Sequence, residues 1–471
     1  MPTSIKFGTD GWRAVIGEDY TFANVRIVTQ AVADYLKQEN LASRGLVVGY
    51  DTRFGSERFA GAAAEVLAAN GIHVYLTNKA TPTPIISYAI LDKKAGGASI
   101  ITASHNPGSD NGYKYKPEYA GSASPEVVSK LEANLEATPI QRMDLKDAER
   151  RGLVERFDGA PAYIRQVGGL VDLEQIKRAG LTIIVDAMYG AGAGYYPQIF
   201  DGGATKVIQI NAERNPIFPN IRAPEPIDSN LGKLKKVVKE SGANVGIAFD
   251  GDADRVGLVD EKGRFINQLQ VFGLLAYYLL EVRGWRGPIV KSLSTTSMVD
   301  RLGELYKVPV FQTPVGFKHI GPKMIEEQAI IGGEESGGFG FAKHIPERDG
   351  LLAGLFLIDF MLRQNKTPSE LLDALFDKVG AHFYDRLDMT YQADHRPQIM
   401  QRVADARPET LAGLQVTNIS TEGGYKYTLE DGSWLLIRFS GTEPLLRVYT
   451  ETRSTEAVQQ MLAEGRAITG V

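Results

Sequence analysis

Leu46-Val47-Val48-Gly49-Tyr50 reads as a buried strand ending at Asp51, and the helix and strand patterns after it decide the architecture. Phe59, Ala63, Val66 and Leu67 share one face of a helix pattern that Ser56 is placed to cap and that Asn70-Gly71 stops. His73-Val74-Tyr75-Leu76 is the next strand. Strand, helix and strand in so short a span predict a mainly parallel, helix-covered sheet. The rhythm restarts at Leu181-Thr182-Ile183-Ile184-Val185-Asp186, which enters the small-residue turn Gly190 to Gly194. It restarts again at Pro288-Ile289-Val290-Lys291 and runs through Ile330-Ile331-Gly332-Gly333, with no residue-level repeat among the three.

The charged stretch Glu132 to Arg151 reads as helix and surface connection, a boundary after the first unit. Thr367-Pro368-Ser369-Glu370 is a helix start, with Thr as cap, Pro first and Glu third. Beyond Gly380 the pattern changes. Tyr425 to Leu429 and Trp434 to Phe439 are strands joined by the hairpin signal Asp431-Gly432, Leu445 to Thr450 is a third, and helical patterns flank them at Gln398 to Ala406 and Thr455 to Ile468. The expected fold class is α/β: three successive similar units with mixed, mainly parallel sheets at 1–150, 151–255 and 256–368, then a C-terminal α+β domain at 369–471.

A chain of 471 residues has room for about three ordinary domains. With 43% hydrophobic and 23% charged residues it has the composition of a globular protein, and a net charge of −5 leaves no footprint for nucleic acid or an anionic membrane. The absence of Cys excludes disulfides, thiolate zinc sites and Cys nucleophiles. Met1 to Asp10 lacks a secretory pattern, and the longest apolar runs, near Leu269 to Leu280 and Leu351 to Leu362, are too short to span a bilayer. A cytoplasmic place is the resulting expectation.

Four stretches carry chemistry. Thr102-Ala103-Ser104-His105-Asn106-Pro107 comes after the strand-like Ala98-Ser99-Ile100-Ile101, which sets Ser104 at a strand's carboxyl end, where open α/β sheets bind ligands. By itself the hexapeptide fits a nucleophile or a capped turn equally well. Asp250-Gly251-Asp252-Ala253-Asp254-Arg255 lies between two apolar runs, and three alternate carboxylates make a hard-oxygen site suited to Mg²⁺. An EF-hand is excluded, since Arg255 stands where that loop needs Gly and the flanks read as strands. Gly332-Gly333-Glu334-Glu335-Ser336-Gly337-Gly338 offers a carboxylate and a hydroxyl to paired sugar hydroxyls, and by itself fits a flexible loop as well. Arg438-Phe439-Ser440-Gly441-Thr442-Glu443-Pro444, with Arg447 beyond it, has the guanidiniums, hydroxyls and amides of a phosphate cradle, the alternative being an inter-strand loop whose Arg residues pair with surface acids.

These four motifs, in this order and across the whole chain, resemble those of the α-D-phosphohexomutases, closest in form to phosphoglucomutase. The resemblance implies four domains facing a shared central cleft, and a phosphoserine enzyme. Ser104 would carry the phosphate, and Asp250, Asp252 and Asp254, with an oxygen on Ser104, would hold Mg²⁺. A phosphoserine brings roughly −1.5 to −2 charges, which beside three carboxylates demands a divalent ion. Arg13, in Gly8-Thr9-Asp10-Gly11-Trp12-Arg13, and Lys114 match further basic positions of the family, and His105 is either a catalyst or a structural hydrogen-bonding group. Thr9, Arg255, Thr313, Gly316, Lys318, Glu334, Ser336, Arg438, Ser440, Gly441, Thr442 and Arg447 match its substrate-binding positions, and Arg348 stands where some phosphoglucomutases have Lys, which suits it to clamp phosphate rather than act as a base.

The implied reaction interconverts hexose 1- and 6-phosphates through a hexose 1,6-bisphosphate, with glucose 1,6-bisphosphate as activator. Glu334-Glu335-Ser336 resembles the glucose form of the sugar loop, although animal phosphoglucomutases carry Thr where this chain has Val315. Many dual-specificity members end that loop with His where this chain has Gly338, so no acid/base role carries over there. Lys114, His105 and the departing phosphate are the candidates for the hydroxyl proton. Glucose-1,6-bisphosphate synthase, phosphoglucosamine mutase, phosphatase and a phosphosugar sensor without turnover are the alternatives. The expected partners are small-molecule phosphosugars, with neither nucleic acid nor membrane, and the expected state is a monomer or weak homo-oligomer.

Overall fold

The computed structural model describes residues 5–440 and 444–471. Its first sheet has six strands in the spatial order Trp12–Val15, Asp110–Pro117, Gly97–Ile101, Leu46–Tyr50, Val74–Thr77 and Val154–Phe157. The second sheet runs Phe265–Ile266, Val256–Val259, Val245–Phe249, Thr182–Asp186 and Lys206–Ile210; the third runs Val310–Thr313, Ile289–Ser292, Ile331–Gly333 and Phe339–Phe341. Leu46–Tyr50 and Val245–Phe249 are buried at every residue, as strands covered on both faces must be, hence their continuous apolar runs.

A common order underlies the three sheets. In each, a parallel set, four strands in the first sheet and three in the other two, is followed by an antiparallel strand: Asp110–Pro117 beside Gly97–Ile101, Val256–Val259 beside Val245–Phe249, and Phe339–Phe341 beside Ile331–Gly333. The connection inside each of these pairs is, respectively, the Ser104 loop, the Asp250–Asp254 loop and the Glu334–Ser336 loop. Three motifs of different sequence thus occupy one topological position. The fourth sheet is wholly antiparallel, in the order Phe383–Thr390, Leu445–Thr452, Trp434–Phe439, Tyr425–Leu429, Leu414–Ser420 and Thr410–Leu411.

Several local expectations shift. Ser56 opens helix Ser56–Ala69 rather than capping it; Gly55 is the cap, at φ +70°, and the Ser56 hydroxyl donates to Asp51 at 2.9 Å. The first sheet takes in Val154–Phe157 and the second takes in Val256–Val259 and Phe265–Ile266, past the expected unit ends at 150 and 255. Helix Pro368–Val379 has the expected Thr367–Glu370 capping box, but buries Leu371, Leu375 and Val379 in a core shared by the second and third units. The closing domain therefore starts after it. Helices Gln268–Tyr277 and Gly350–Gln364 are the long apolar runs, and both lie inside that shared core. Asp359 is tolerated there because Arg363 donates to it at 2.6 Å and Tyr278 also hydrogen-bonds it. No helix among the described residues is long and apolar enough to cross a membrane.

Candidate active site

Ser104 is fully buried and held at φ +50°, a left-handed conformation that costs a non-Gly residue energy and persists only where its surroundings impose it. Arg53 imposes it. Its fully buried guanidinium donates to four carbonyls of the loop: Ser104 at 2.6 Å, Asn106 at 2.6 Å, Pro107 at 2.7 Å and Asp110 at 3.0 Å. Asp51 balances that charge at 3.2 Å and also accepts from the Thr102 hydroxyl at 2.6 Å. With its backbone held from one side, the loop turns the Ser104 hydroxyl to Asp250, to which it donates at 2.7 Å.

Asp250, Asp252 and Asp254 are fully buried, with ligand oxygens within 4.8 Å of one another. Ala253, at φ +57°, supplies the curl between the last two. Burial, then Asp254 and Asp252, push the Asp250 carboxyl well above the usual carboxylate range. Asp252 Oδ1 and Asp254 Oδ1 are buried with no hydrogen-bond partner among the described residues. Crowded, like-charged and partly unpartnered oxygens fit a hard divalent cation, and the donor set suits Mg²⁺. Glu261, the twelfth residue from Asp250, instead accepts from Ser369 at 2.5 Å.

Cations line the rest. Lys114 lies 2.8 Å from Asp10, 2.8 Å from Asp252 and 3.1 Å from Asp254. Burial opposes its charge, yet these three carboxylates raise its pKa above the ordinary lysine value. Arg348 reaches Asp254 at 2.9 Å, Glu347 at 3.1 Å, Glu334 at 3.3 Å and also Asp10, so one side chain joins loops of all three units. Its place explains Gly338, since a Cβ there would lie 2.2 Å from Arg348 Cδ. Arg255 pairs with Glu225 at 3.2 Å, and Arg13 donates to Asn106 at 2.7 Å. His105 Nδ1 is 3.5 Å from Ser104 Oγ; burial and then the surrounding cations hold the imidazole pKa well below the usual histidine value.

Ser104, Lys114, Arg13, His105, Arg255, Glu334, Arg348 and the three aspartates are thus brought into one charge network. Thr313 ends its strand with its hydroxyl donated to the Pro314 carbonyl at 3.1 Å, Gly316 adopts φ +118°, and Lys318 lies in the first turn of helix Phe317–Glu327. A Cβ on Gly316 would be 3.7 Å from Thr9, so the first unit faces this loop. Ser336 occupies the third loop beside Glu334. Arg438 and Arg447 are register partners on neighbouring strands, with Ser440 just beyond; Gly441 and Thr442 lie outside the described residues. Asp10, Asp51, Arg53, Glu225 and Glu347 were not expected from sequence. Only Asp51 and Arg53 had a signal, since they come directly after the carboxyl end of the strand beside Gly97–Ile101.

A nucleophile-bearing loop and an acidic trio from equivalent positions of two units, set among buried cations, have the parts of an intramolecular phosphotransferase. Comparisons with known proteins give the family. Models described as phosphoglucomutase/phosphomannomutase alpha/beta/alpha domain I, domain II, domain III and C-terminal domain match residues 4–141, 161–263, 267–379 and 397–467. A "Phosphoglucomutase/phosphomannomutase" of Thermococcus kodakarensis is 32% identical over 459 residues, 98% of this chain and 97% of its own. A "Phosphoglucosamine/phosphogalactosamine mutase" of Sulfurisphaera tokodaii is 27% identical over 98% of each chain. A crystal structure from Thermus thermophilus, named as a phosphomannomutase, superposes with a TM-score of 0.87 at 35% identity over 100% of both chains. The chain belongs to the phosphoglucomutase/phosphomannomutase family, the α-D-phosphohexomutases.

Proposed function

We propose that this enzyme isomerises glucose 1-phosphate and glucose 6-phosphate, with mannose phosphates as the second pair, through phosphorylated Ser104 and a hexose 1,6-bisphosphate. The observation that carries the reading is the Ser104 hydroxyl held 2.7 Å from Asp250 within a buried acidic trio. In the first half-reaction the Ser104 O–P bond breaks as the free sugar hydroxyl bonds to phosphorus, leaving a bisphosphate. In the second the other phosphate returns to Ser104, releasing the isomer. Mg²⁺ held by Asp250, Asp252, Asp254 and an oxygen on Ser104 would neutralise charge on the transferred group.

Lys114, Arg13, Arg255 and Arg348 supply fixed positive charge where the phosphoryl oxygens gain negative charge. Lys114, 2.8 Å from Asp10 and from Asp252, is placed beside the metal-binding carboxylates. Arg438, Ser440, Gly441, Thr442 and Arg447 grip the distal phosphate, and Thr9, Thr313, Gly316, Lys318, Glu334 and Ser336 address the sugar. Action in the cytoplasm as a monomer or weak homo-oligomer belongs to the same reading.

An amino-sugar phosphate is the second reading, favoured by the name of the Sulfurisphaera relative. Both are tested by ³¹P NMR of the protein with Mg²⁺, a trace of the bisphosphate, and glucose, mannose or glucosamine phosphates in turn. Glucose 6-phosphate should form fastest, without inorganic phosphate, and not at all in Ser104→Ala. Persistent bisphosphate would mark a synthase, inorganic phosphate a phosphatase, and faster glucosamine turnover the second reading.

A further inference from the structure

Glu335 stands between Glu334 and Ser336 in the third loop, yet its carboxylate meets the C-terminal domain. Glu335 Oε1 accepts from the Tyr384 hydroxyl at 2.7 Å and from Arg386 at 3.0 Å, both on strand Phe383–Thr390. Arg386 Nε in turn lies 2.9 Å from Asp388, whose other oxygen lies 3.5 Å from Arg447 Nε. Asp388 and Arg447 are register partners, as are Arg447 and Arg438. Alternating charges therefore run from the third loop to the arginines of the fourth. Beside them Val315 and Tyr384 pack on an apolar cluster of Leu293, Trp434 and Tyr449, which accounts for an apolar residue at 315.

We propose that Glu335 is the docking carboxylate of the C-terminal domain rather than a sugar ligand, and that Tyr384, Arg386 and Asp388 are positioning residues that aim Arg447 into the cleft. The aiming of Arg447 at phosphate rests on the function proposed above; the docking does not. The strength of the contact suits the role. Glu335 and Arg386 side chains keep 16% and 31% exposure, so the bond is charge-assisted but water-accessible. Ser297 donating to Glu451 at 2.7 Å and Lys426 to the Leu293 carbonyl at 2.8 Å tie the same domain to residues 293–297, so losing Glu335 loosens the domain without detaching it.

The test is a double-mutant cycle with Glu335→Gln and Arg386→Gln, read as kcat and KM for glucose 1-phosphate, with interdomain energy transfer measured in parallel. Since the chain has no Cys, Glu304→Cys and Gln415→Cys, both at exposed sites, give a single dye pair. Each single variant should raise KM roughly tenfold, the scale of one charge-assisted bond, with kcat changed less. The double variant should do no worse than the poorer single, and Arg386→Lys should recover most of the affinity. Both Gln variants should broaden the interdomain distance without substrate. Additive KM effects, or an unchanged distance distribution, would overturn the proposal. Should the wild type turn over no hexose phosphate, the function reading fails and energy transfer alone still decides the docking.

Discussion

Gly251→Ala is the sharpest probe of how the first two loops meet. A Cβ at Gly251 would lie 2.4 Å from the Ser104 carbonyl oxygen, where ordinary contact begins at 3.4 Å. The obstacle is backbone, so no rotamer change relieves it, and the two loops must part by about 1 Å. Gly251 does not need a left-handed conformation, which leaves the contact as the whole effect. Arg53 fixes the serine loop from behind, so the displacement falls on the bond between Ser104 Oγ and Asp250, now 2.7 Å. Lengthening it by about 1 Å ends it as a hydrogen bond. A misplacement of that size costs about 100-fold in rate, or about 2.7 kcal/mol. The assay is kcat for glucose 1-phosphate, with intact mass reporting phosphate on Ser104 and Gly232→Ala as control, since nothing lies within 4 Å of a Cβ there. A Gly251→Ala enzyme within about threefold of wild type would refute the reasoning, because the two loops would then have slack incompatible with a tightly positioned nucleophile.

Arg53→Lys keeps the charge against Asp51 but cannot serve four carbonyls; with about two buried acceptors left unpaired, it should lose about 2–4 kcal/mol in urea unfolding and lower kcat as well. Removing Mg²⁺ with a chelator should stop turnover, and Asp252→Asn should weaken Mg²⁺ binding by calorimetry beyond the roughly 10–100-fold typical of outer-shell losses; unchanged affinity would remove Asp252 from the ligand set. Lys426 is buried between Trp434, Gln312 and the Leu293 carbonyl, and burial, then Lys291, lower its pKa to about 7 from 10.5. A lowered folded value means that the unfolded chain binds more protons across that window, so the lysine's contribution to stability rises from pH 7 to 10.5 and is flat below 7. Thermal unfolding of wild type against Lys426→Met should therefore show the wild type gaining on the variant as pH rises, and a constant difference would contradict it.

What the sequence determined by itself was local. The strand-helix-strand rhythm, the Thr367 capping box, the hairpin at Asp431-Gly432 and the four motifs were legible because each is written in neighbouring residues, whose spacing alone sets periodicity, cap or ligand pattern. Tertiary structure decided what depends on distance along the chain. Asp10, Glu225 and Glu347 are single charged residues with no pattern of their own until folding sets them against Lys114, Arg255 and Arg348. Val154–Phe157 falls within the expected second unit, 151–255, yet pairs with Val74–Thr77, because a strand's partner is fixed by sheet-edge hydrogen bonds, not by nearness in sequence. The shared position of the three catalytic loops was hidden for a related reason. Strand order repeats while residues do not, since burial asks only for apolar side chains in each strand and leaves the connecting loops free to carry phosphate, metal or sugar.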